Sequence, residues 1–312
     1  MNQQTLALCI PAYNAAAYLP RLLISAQKQH IPFDEILVYD DGSTDNTAAI
    51  AAQTGVKVLR DEVNRGCPTG KNRLAEITVC DWIHFHDADD ALLPNFTTLA
   101  HKWMRLPNPP DIILFDYAWK DHSSGELLSV RRFSKAALEA DPILYAIREQ
   151  INPFCGLYNK RAFLNAGGYD TDPLVLYNED VAFHCKMAAA GLRFAAENEI
   201  SIINYRRKNS MSDANKVHCA RAHYEVMKKN AAELPAKYHA AIAEKLWLCA
   251  GVSASYLDWK TADSAAALAR KLDKNVRRIS SPQFRNISFF SPRLAFRIRE
   301  YWIRLRKPHL RK

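Results

Sequence analysis

Acidic and small polar residues stand together at three places in the N-terminal third of the chain, each directly after a short apolar run. The three segments are Pro11-Ala12-Tyr13-Asn14, Asp40-Asp41-Gly42-Ser43 and Asp87-Ala88-Asp89-Asp90. Where parallel strands end at one edge of a sheet, such residues meet in one crevice. Carboxylates gathered there repel one another unless a cation or hydrogen-bond donors offset their charge. Oxygen ligands favour a hard ion, Mg²⁺ or Mn²⁺, which commonly also holds substrate phosphates.

The apolar pattern around these motifs predicts the elements that would position them. Short apolar runs predict strands over 5–10, 35–39, 56–59 and 82–86. Helical spacing predicts helices over 18–29, 45–53 and 70–77. Strands alternating with helices favour an α/β fold with a mostly parallel, Rossmann-like sheet in the N-terminal half. Further helices are predicted near 96–105 and 179–190, and further strands near 111–115 and 200–205.

The composition excludes several other classes of protein. The chain has 312 residues, of which 48% are hydrophobic and 24% charged, so it is neither disordered nor fibrous. Seven cysteines without a CxxC pair give no zinc or thioredoxin-like motif, and reduced, mostly buried thiols are expected. No apolar stretch is long enough to span a bilayer, and the N-terminus has no basic region of a signal peptide. Cytoplasmic residence is therefore expected.

The C-terminal third differs in composition from the rest of the chain. After about residue 215 glycine nearly vanishes, and Ala, Lys, Glu and Leu predict a helical C-terminal region over 216–312. The last 28 residues hold nine Lys or Arg against one acid, a net charge of +8 out of +9 for the whole chain. The body is thus nearly neutral, which disfavours nucleic-acid binding by the whole protein.

The basic tail, residues 285–312, has an amphipathic pattern. Leu294, Ile298, Tyr301 and Leu305 lie on one face of a predicted helix, with Trp302 at its edge and arginines on both sides. Such a helix suits the surface of an anionic membrane, which would make the protein peripheral on the inner face of the cytoplasmic membrane. Two alternatives stay open: the stripe packs on the body, or the basic helix binds nucleic acid.

Five motifs together resemble the family 2 glycosyltransferases of the GT-A fold. Their order and spacing match the family, most strongly over about residues 5–95. The segments that carry the resemblance are Ile10-Pro11-Ala12-Tyr13-Asn14, Asp40-Asp41-Gly42-Ser43-Thr44-Asp45, Asp87-Ala88-Asp89-Asp90, Asn178-Glu179-Asp180 and 205–212. The resemblance implies a GT-A domain over 1–215, with the nucleotide-sugar bound by about 1–95 and the acceptor by 96–215.

The resemblance also implies the residues of the donor site. It implies that the nucleotide-sugar is bound by Pro11, Ala12, Tyr13, Asn14, Asp41, Lys71, Asp87, Ala88, Asp89, Arg206 and Arg207. Asp41 would accept a hydrogen bond from a uracil-type base, although a turn or helix-capping role is an alternative. Asp87 would contact the ribose. Asp89 would hold the divalent cation, Mn²⁺ or Mg²⁺, that bridges the diphosphate, and Asp87 is a second candidate ligand.

Two basic positions leave alternatives open. Lys71 stands where the family usually has arginine, and it would meet a phosphate as a point charge rather than as a planar fork. A solvated helix residue is the alternative for Lys71, and Arg65 is a competing candidate. Arg206 or Arg207, with Ser210, resembles the family's mobile segment that closes over the diphosphate, with a surface loop as the alternative.

The acceptor side is expected to contain the general base. Asp180 is the candidate, because an inverting transfer needs a carboxylate to take the proton of the acceptor hydroxyl. Glu179 and Asp180 begin a predicted helix, where acids are also favoured by the helix dipole alone.

The resemblance implies a hexosyl- or N-acetylhexosaminyl-transferase that uses a UDP-sugar. Its expected acceptor is a saccharide or lipid-linked glycan in surface polysaccharide or lipopolysaccharide synthesis. The alternatives are a sugar nucleotidyltransferase, which lacks support because no Gly-rich phosphate loop follows the first strand, and a non-catalytic binding or scaffold protein of the same fold.

Overall fold

The computed structural model describes residues 4–207, 215–276 and 281–311. The chain divides into two compact units. The first contains residues 1–145, 151–171 and 186–210, and the second contains 146–150, 172–185 and 211–312. The boundary expected near residue 215 stays a prediction.

The first unit is built on a nine-stranded sheet. The strands are β1 (Leu6–Ala12), β2 (Glu35–Asp41), β3 (Lys57–Asp61), β4 (Trp82–Phe85), β5 (Ala91–Leu92), β6 (Ile112–Asp121), β7 (Leu127–Arg131), β8 (Gly156–Asn159) and β9 (Phe194–Arg206). Their order is β3-β2-β1-β4-β8-β6-β9-β5, and β7 pairs with β6. The two-residue strand β5 and the short β8 have no long apolar run that would mark them in the sequence.

The sheet is parallel in one half and mixed in the other. β1 pairs in parallel with β2 and β4, and β2 pairs in parallel with β3, as the alternation of strands and helices predicts. β8 runs antiparallel to both β4 and β6, and β6 and β9 are again parallel. Helices between consecutive strands return the chain to the same edge for β1–β4, which is why this half is parallel.

Helices follow or separate the strands of the first unit and make up most of the second. They are α1 (Leu19–Gln27), α2 (Thr47–Gln53), α3 (Cys67–Ile77), α4 (Phe96–Met104), α5 (Lys135–Ala140), α6 (Pro142–Arg148), α7 (Lys160–Asn165), α8 (Glu179–Ala189), α9 (Lys216–Glu233), α10 (His239–Ser255), α11 (Trp259–Leu272), α12 (Pro282–Phe290) and α13 (Pro292–Arg306). In α1, Leu19, Leu22, Leu23 and Ala26 are buried at the predicted helical spacing. The helical C-terminal region is thus present as α9–α13.

The second unit is largely helical, and small side chains let its helices approach closely. In α11 the buried residues include Ala262, Ala265, Ala266 and Ala269, all on one face. The facing helix α10 also buries several alanines. Because alanine gains helix stability without side-chain entropy cost, such a pair favours both the helices and their packing.

Helix α13 packs through a different face from the predicted apolar stripe. Ala295, Phe296 and Glu300 are buried, and the Phe296 ring lies 5.3 Å from that of Trp247, centroid to centroid. The side of the helix that bears the stripe faces the opposite way. Leu294 is 51% exposed, Tyr301 67% and Leu305 65%. Three of the four stripe residues are thus exposed and Ile298 is half-buried, which does not support the alternative that the stripe packs on the body.

All seven cysteines are free thiols, five of them buried, as expected for a chain without a disulfide framework. Within residues 4–207, 215–276 and 281–311, no helix is both long and apolar enough to cross a bilayer.

Candidate functional site

The carboxyl ends of β1, β2 and β4 lie at one edge of the sheet. The register pairs Ala12 with Asp40, at the ends of β1 and β2, and Cys9 with Phe85, at the end of β4. Asp41 is the last residue of β2, and Asp87 and Asp89 lie in the loop that follows β4. The parallel arrangement therefore brings the three sequence motifs of the first unit to the same edge, as predicted.

The loops after β1 and β2 are tied together by hydrogen bonds. The Asn14 amide donates to Oγ of Ser43 at 2.9 Å, and Oδ1 of Asn14 accepts from the Thr44 amide at 2.9 Å. The Ala15 amide donates to Oγ1 of Thr47 at 2.8 Å. Asn14 has a φ of +48°, a left-handed conformation that asparagine tolerates better than most residues. The first two motifs thus form one hydrogen-bonded structure.

Asp41 anchors the loop that precedes α3. Its two carboxylate oxygens accept from the main-chain amides of Arg65, at 2.7 Å, and Gly66, at 2.8 Å. The residue is 4% exposed. Gly42 follows it with a φ of +73°, and a Cβ there would lie 2.8 Å from the carbonyl carbon of Val63. Asp41 therefore fixes the loop before α3, and its predicted contact with a base stays a prediction.

Lys71 is buried in α3 and is only 2% exposed. Its Nζ lies 5.1 Å from the centroid of the Tyr169 ring. The alternative of a solvated helix residue is therefore wrong for Lys71. Arg65, the competing candidate, is more exposed, and its Nε forms a salt bridge of 2.9 Å with Asp61.

Asp90 fixes the loop that contains Asp87, Ala88 and Asp89. It is 1% exposed and accepts hydrogen bonds from Nδ2 of Asn204, at 2.7 Å, and from the Tyr205 amide, at 2.8 Å. Burial, followed by repulsion from Asp89 and Asp87, raises the pKa of the Asp90 carboxyl well above its usual range. Asp90 thus links this loop to the end of β9.

Two arginines converge on Asp89, one on its side chain and one on its main chain. Nη2 of Arg207 forms an ion pair with Oδ2 of Asp89. Nη2 of Arg21 donates to the Asp89 carbonyl oxygen at 2.5 Å. The predicted nucleotide-site residues Asp89 and Arg207 are therefore in direct contact. The neighbouring Arg206 instead lies over the ring of Trp119, 5.9 Å from its centroid, and Ser210 lies outside the described residues.

Aromatic rings surround these arginines. The Arg207 guanidinium lies 4.2 Å from the ring centroid of Tyr18, and that of Arg21 lies 3.8 Å from the ring centroid of Tyr205. The His122 ring lies nearly perpendicular to the rings of Tyr18 and Tyr205, at centroid distances of 5.5 and 6.1 Å. The sequence patterns do not mark Tyr18, Arg21 or His122. The helical pattern of α1 marks only its apolar residues, and His122 directly follows β6 with no motif around it.

Glu179 and Asp180 begin α8, as predicted, and belong to the second unit. Glu179 is 7% exposed, and Asp180 is half-buried. Nδ1 of His184 lies 2.8 Å from the Asp180 carbonyl oxygen, one turn further along the helix. The preceding Asn178 has its Oδ1 3.1 Å from Nδ1 of His223 in α9. The start of α8 is therefore held by contacts within the second unit.

The acids of the first unit fit a metal ion that binds together with a diphosphate. In the part of the chain that the structure describes, no three or more His, Cys, Asp or Glu side chains are grouped as metal ligands. Mg²⁺ and similar ions commonly use only one or two carboxylates, with water and substrate phosphates completing the sphere. Asp89 and Asp87, which lie in the same loop, would supply such a partial set.

The chain is similar to known proteins in sequence and in fold. The family model described as glycosyl transferase family 2 matches residues 7–163. Glycosyltransferase GlyG of Streptococcus pneumoniae is 27% identical over 127 residues, which are 39% of this chain and 42% of that protein. The match to this relative thus spans less than half of its length.

Two solved structures have a similar fold. The crystal structure of S. aureus TarS 1–349 in complex with UDP-GlcNAc has a TM-score of 0.70 and 17% identity, over 97% of this chain and 92% of that one. The mannosyltransferase PcManGT from Pyrobaculum calidifontis, in complex with GDP-Man and Mn²⁺, has a TM-score of 0.58 and 16% identity, over 97% and 88%. At these identities the likeness shows the fold.

Proposed function

This chain belongs to glycosyl transferase family 2 and has the GT-A fold. We propose that it transfers a sugar from a nucleotide-diphospho-sugar to an acceptor hydroxyl, with inversion of configuration at the anomeric carbon. The single observation that carries the proposal is the convergence of the loops after β1, β2 and β4, with Asp41, Asp87 and Asp89, at one sheet edge. A parallel sheet binds nucleotides at this edge, and the acids there suit a metal-diphosphate group.

The first unit binds the donor in this proposal. Residues 11–14 line the nucleotide pocket, Asp41 meets the base, and Asp87 and Ala88 lie at the ribose. Lys71, Arg206 and Arg207 supply positive charge for the diphosphate. A UDP-sugar is favoured, and TarS, the structure with the higher TM-score of the two described, holds UDP-GlcNAc. The transferred group is proposed to be a hexosyl or N-acetylhexosaminyl unit.

Asp89 holds a divalent cation, Mn²⁺ or Mg²⁺, with Asp87 as a second ligand. When bound, such an ion stabilises the negative charge that develops on the leaving diphosphate. The structure of PcManGT with GDP-Man and Mn²⁺ supports this assignment by analogy of fold. Asp90 and Arg21 hold the main chain around Asp89, so the loop need not reorganise when the donor binds.

Asp180 is the proposed general base, with Glu179 beside it on the acceptor side. It takes the proton of the acceptor hydroxyl while the oxygen attacks the anomeric carbon and the bond to the nucleotide diphosphate breaks. Asp180 is the better candidate of the two because Glu179 is almost fully buried, whereas Asp180 is half-buried.

A donor screen tests the proposed function. Nucleotide release is measured across UDP- and GDP-sugars with Mn²⁺ or Mg²⁺, using saccharide acceptors. Asp89→Ala and Asp180→Asn are each expected to lower kcat by at least about a hundredfold, as losses of a metal ligand and of a general base do. Asp172→Asn is a matched control, since Asp172 precedes α8 but forms a salt bridge with Lys229. Turnover by both variants at the wild-type rate would refute the assignment.

The acceptor is proposed to be a saccharide or lipid-linked glycan of surface polysaccharide or lipopolysaccharide synthesis, reached at the cytoplasmic face of a membrane. The support is the exposed stripe of α13, in which Tyr301 and Leu305 point away from the packed face. Beside this stripe, the Arg306 guanidinium lies 4.0 Å from the centroid of the Trp302 ring. Apolar and aromatic groups flanked by arginines suit an anionic lipid surface.

A further inference from the structure

We propose that Arg207 is an internal counter-ion of Asp89 that a divalent cation must displace, so that Arg207 sets the metal affinity of the loop after β4. The inference rests on the proposed function, in which Asp89 is a metal ligand. It adds that Arg207 competes with the metal ion for the Asp89 carboxylate, which the sequence motifs do not reveal.

The ion pair occupies one of the two carboxylate oxygens that Asp89 would offer to a metal. Nη2 of Arg207 contacts Oδ2 of Asp89, and the two side chains are only 30% and 27% exposed. A partly buried pair is less screened by water than a surface pair. The guanidinium is permanently charged, so pH does not release it near neutrality. A guanidinium at Oδ2 disfavours a divalent ion at the same carboxylate, because the two cations repel each other at this short separation.

The position of Arg207 is specified by packing as well as by charge. Its guanidinium lies 4.2 Å from the Tyr18 ring centroid, and Tyr18 in turn contacts the ring of His122 edge-on. A cation over an aromatic face is attracted by the negative charge of the ring face, and more strongly when the pair is desolvated. Tyr18 therefore keeps the guanidinium close to Asp89 and lowers the entropy cost of forming the ion pair.

The main chain around Asp89 is held independently of this ion pair. Arg21 donates to the Asp89 carbonyl oxygen, and its guanidinium lies 3.8 Å from the Tyr205 ring centroid. Next in the chain, Asp90 accepts from Asn204 and from the Tyr205 amide. Because these contacts do not involve the Asp89 carboxylate, that carboxylate exchanges its partner without unfolding the loop.

The test is the affinity of the full-length protein for Mn²⁺ alone, measured from the electron paramagnetic resonance signal of free Mn²⁺ without nucleotide. Arg207→Gln is expected to lower the Kd about three- to tenfold, the range for removing a partly exposed ion pair. Arg207→Lys keeps the charge and is expected to stay within about twofold of wild type. Circular dichroism melts establish that each variant folds.

Arg206→Gln is the matched control, because it removes the same charge from the neighbouring residue. The Arg206 side chain lies over the Trp119 ring rather than at Asp89. A similar gain in affinity in Arg206→Gln and Arg207→Gln would overturn the proposal, since general charge would then explain both. Equal affinity in wild type and Arg207→Gln would also overturn it. So would Mn²⁺ binding by the double variant Asp89→Asn/Arg207→Gln as tight as that of Arg207→Gln, since the ion would then lie elsewhere. Because donor turnover is measured separately, failure here leaves the transferase proposal standing.

Discussion

The Asp90 carboxylate accepts a hydrogen bond of 2.8 Å from the main-chain amide of Tyr205, which lies 115 residues further along the chain. This bond ties the loop after β4 to the end of β9. Asp89, which is expected to bind the donor, and Arg207, which contacts it, are therefore held close together by a buried polar connection as well as by their own ion pair.

Removing the Asp90 carboxylate should destabilise the fold. Asp90→Ala leaves the Tyr205 amide and the Asn204 side chain without their buried acceptor, a loss of about 2–4 kcal/mol in the free energy of unfolding. Asp90→Asn keeps the shape and one acceptor, so its loss should be smaller. Urea unfolding monitored by circular dichroism measures both. Equal stability of wild type and Asp90→Ala would show that this connection does not hold the loop.

Replacing Asp41 should weaken nucleotide binding through the loop before α3. Asp41→Ala removes the acceptor of the Arg65 and Gly66 amides, so the loop loses its anchor and the affinity for UDP should fall at least about tenfold. Isothermal titration calorimetry with UDP and Mn²⁺ measures this change. Asp61→Asn is the control, because Asp61 contacts the Tyr39 hydroxyl and the Arg65 side chain but not the loop amides. A comparable loss in both variants would contradict the specific role of Asp41.

The exposed stripe of α13 should bind anionic vesicles. A triple variant, Leu294→Gln, Tyr301→Ser and Leu305→Gln, removes only exposed apolar groups, so the fold should be unchanged. Co-flotation with phosphatidylglycerol-containing vesicles should drop at least about fivefold relative to wild type, and neutral vesicles should recover little of either protein.

The buried residue Phe296 is left intact in this variant, so the packing of α13 on α10 is preserved. Recovery of the triple variant equal to that of wild type would remove the support for membrane docking. Flotation of wild type with neutral and anionic vesicles alike would remove the role of the basic residues.

The stability of the second unit should fall on acidification because of His223. Burial, followed by the charge of Lys245, lowers the pKa of His223 to about 4. The unfolded chain has the ordinary histidine pKa near 6.5, so between pH 6.5 and 4 it binds a proton that the folded chain excludes. The stabilising contribution is complete above pH 6.5, is lost as the pH falls, and is constant below about 4.

The size of this effect should be about 1–2 kcal/mol, since His223 is only partly buried. The measurement is the free energy of urea unfolding at pH 7.5 and pH 4.5. The difference in unfolding free energy between pH 7.5 and pH 4.5 should shrink in His223→Gln. It should persist in His309→Gln, which changes an exposed histidine. An unchanged difference in His223→Gln would assign the acid sensitivity to other groups.

Much of the donor half was predictable from the sequence. The apolar runs of β1, β2 and β4 and the helical spacing of α1 are local patterns, and the alternation of strands with helices implies parallel pairing. Parallel pairing in turn places Asp41 and Asp89 at one edge. The start of α8 at Glu179 was predictable too, since its signal is also local.

The tertiary structure decided what no local pattern contains. The pairing of Arg207 with Asp89, the contact of Arg21 with the Asp89 carbonyl, and the burial of Lys71 all join residues far apart in the chain. The tertiary structure also decided which face of α13 is buried, because the exposed stripe of this helix is as apolar as a buried face would be. Only the packing of Phe296 against Trp247 determines that the stripe faces outward. Periodicity shows that a helix has an apolar face, but the neighbours available in three dimensions decide which face is covered.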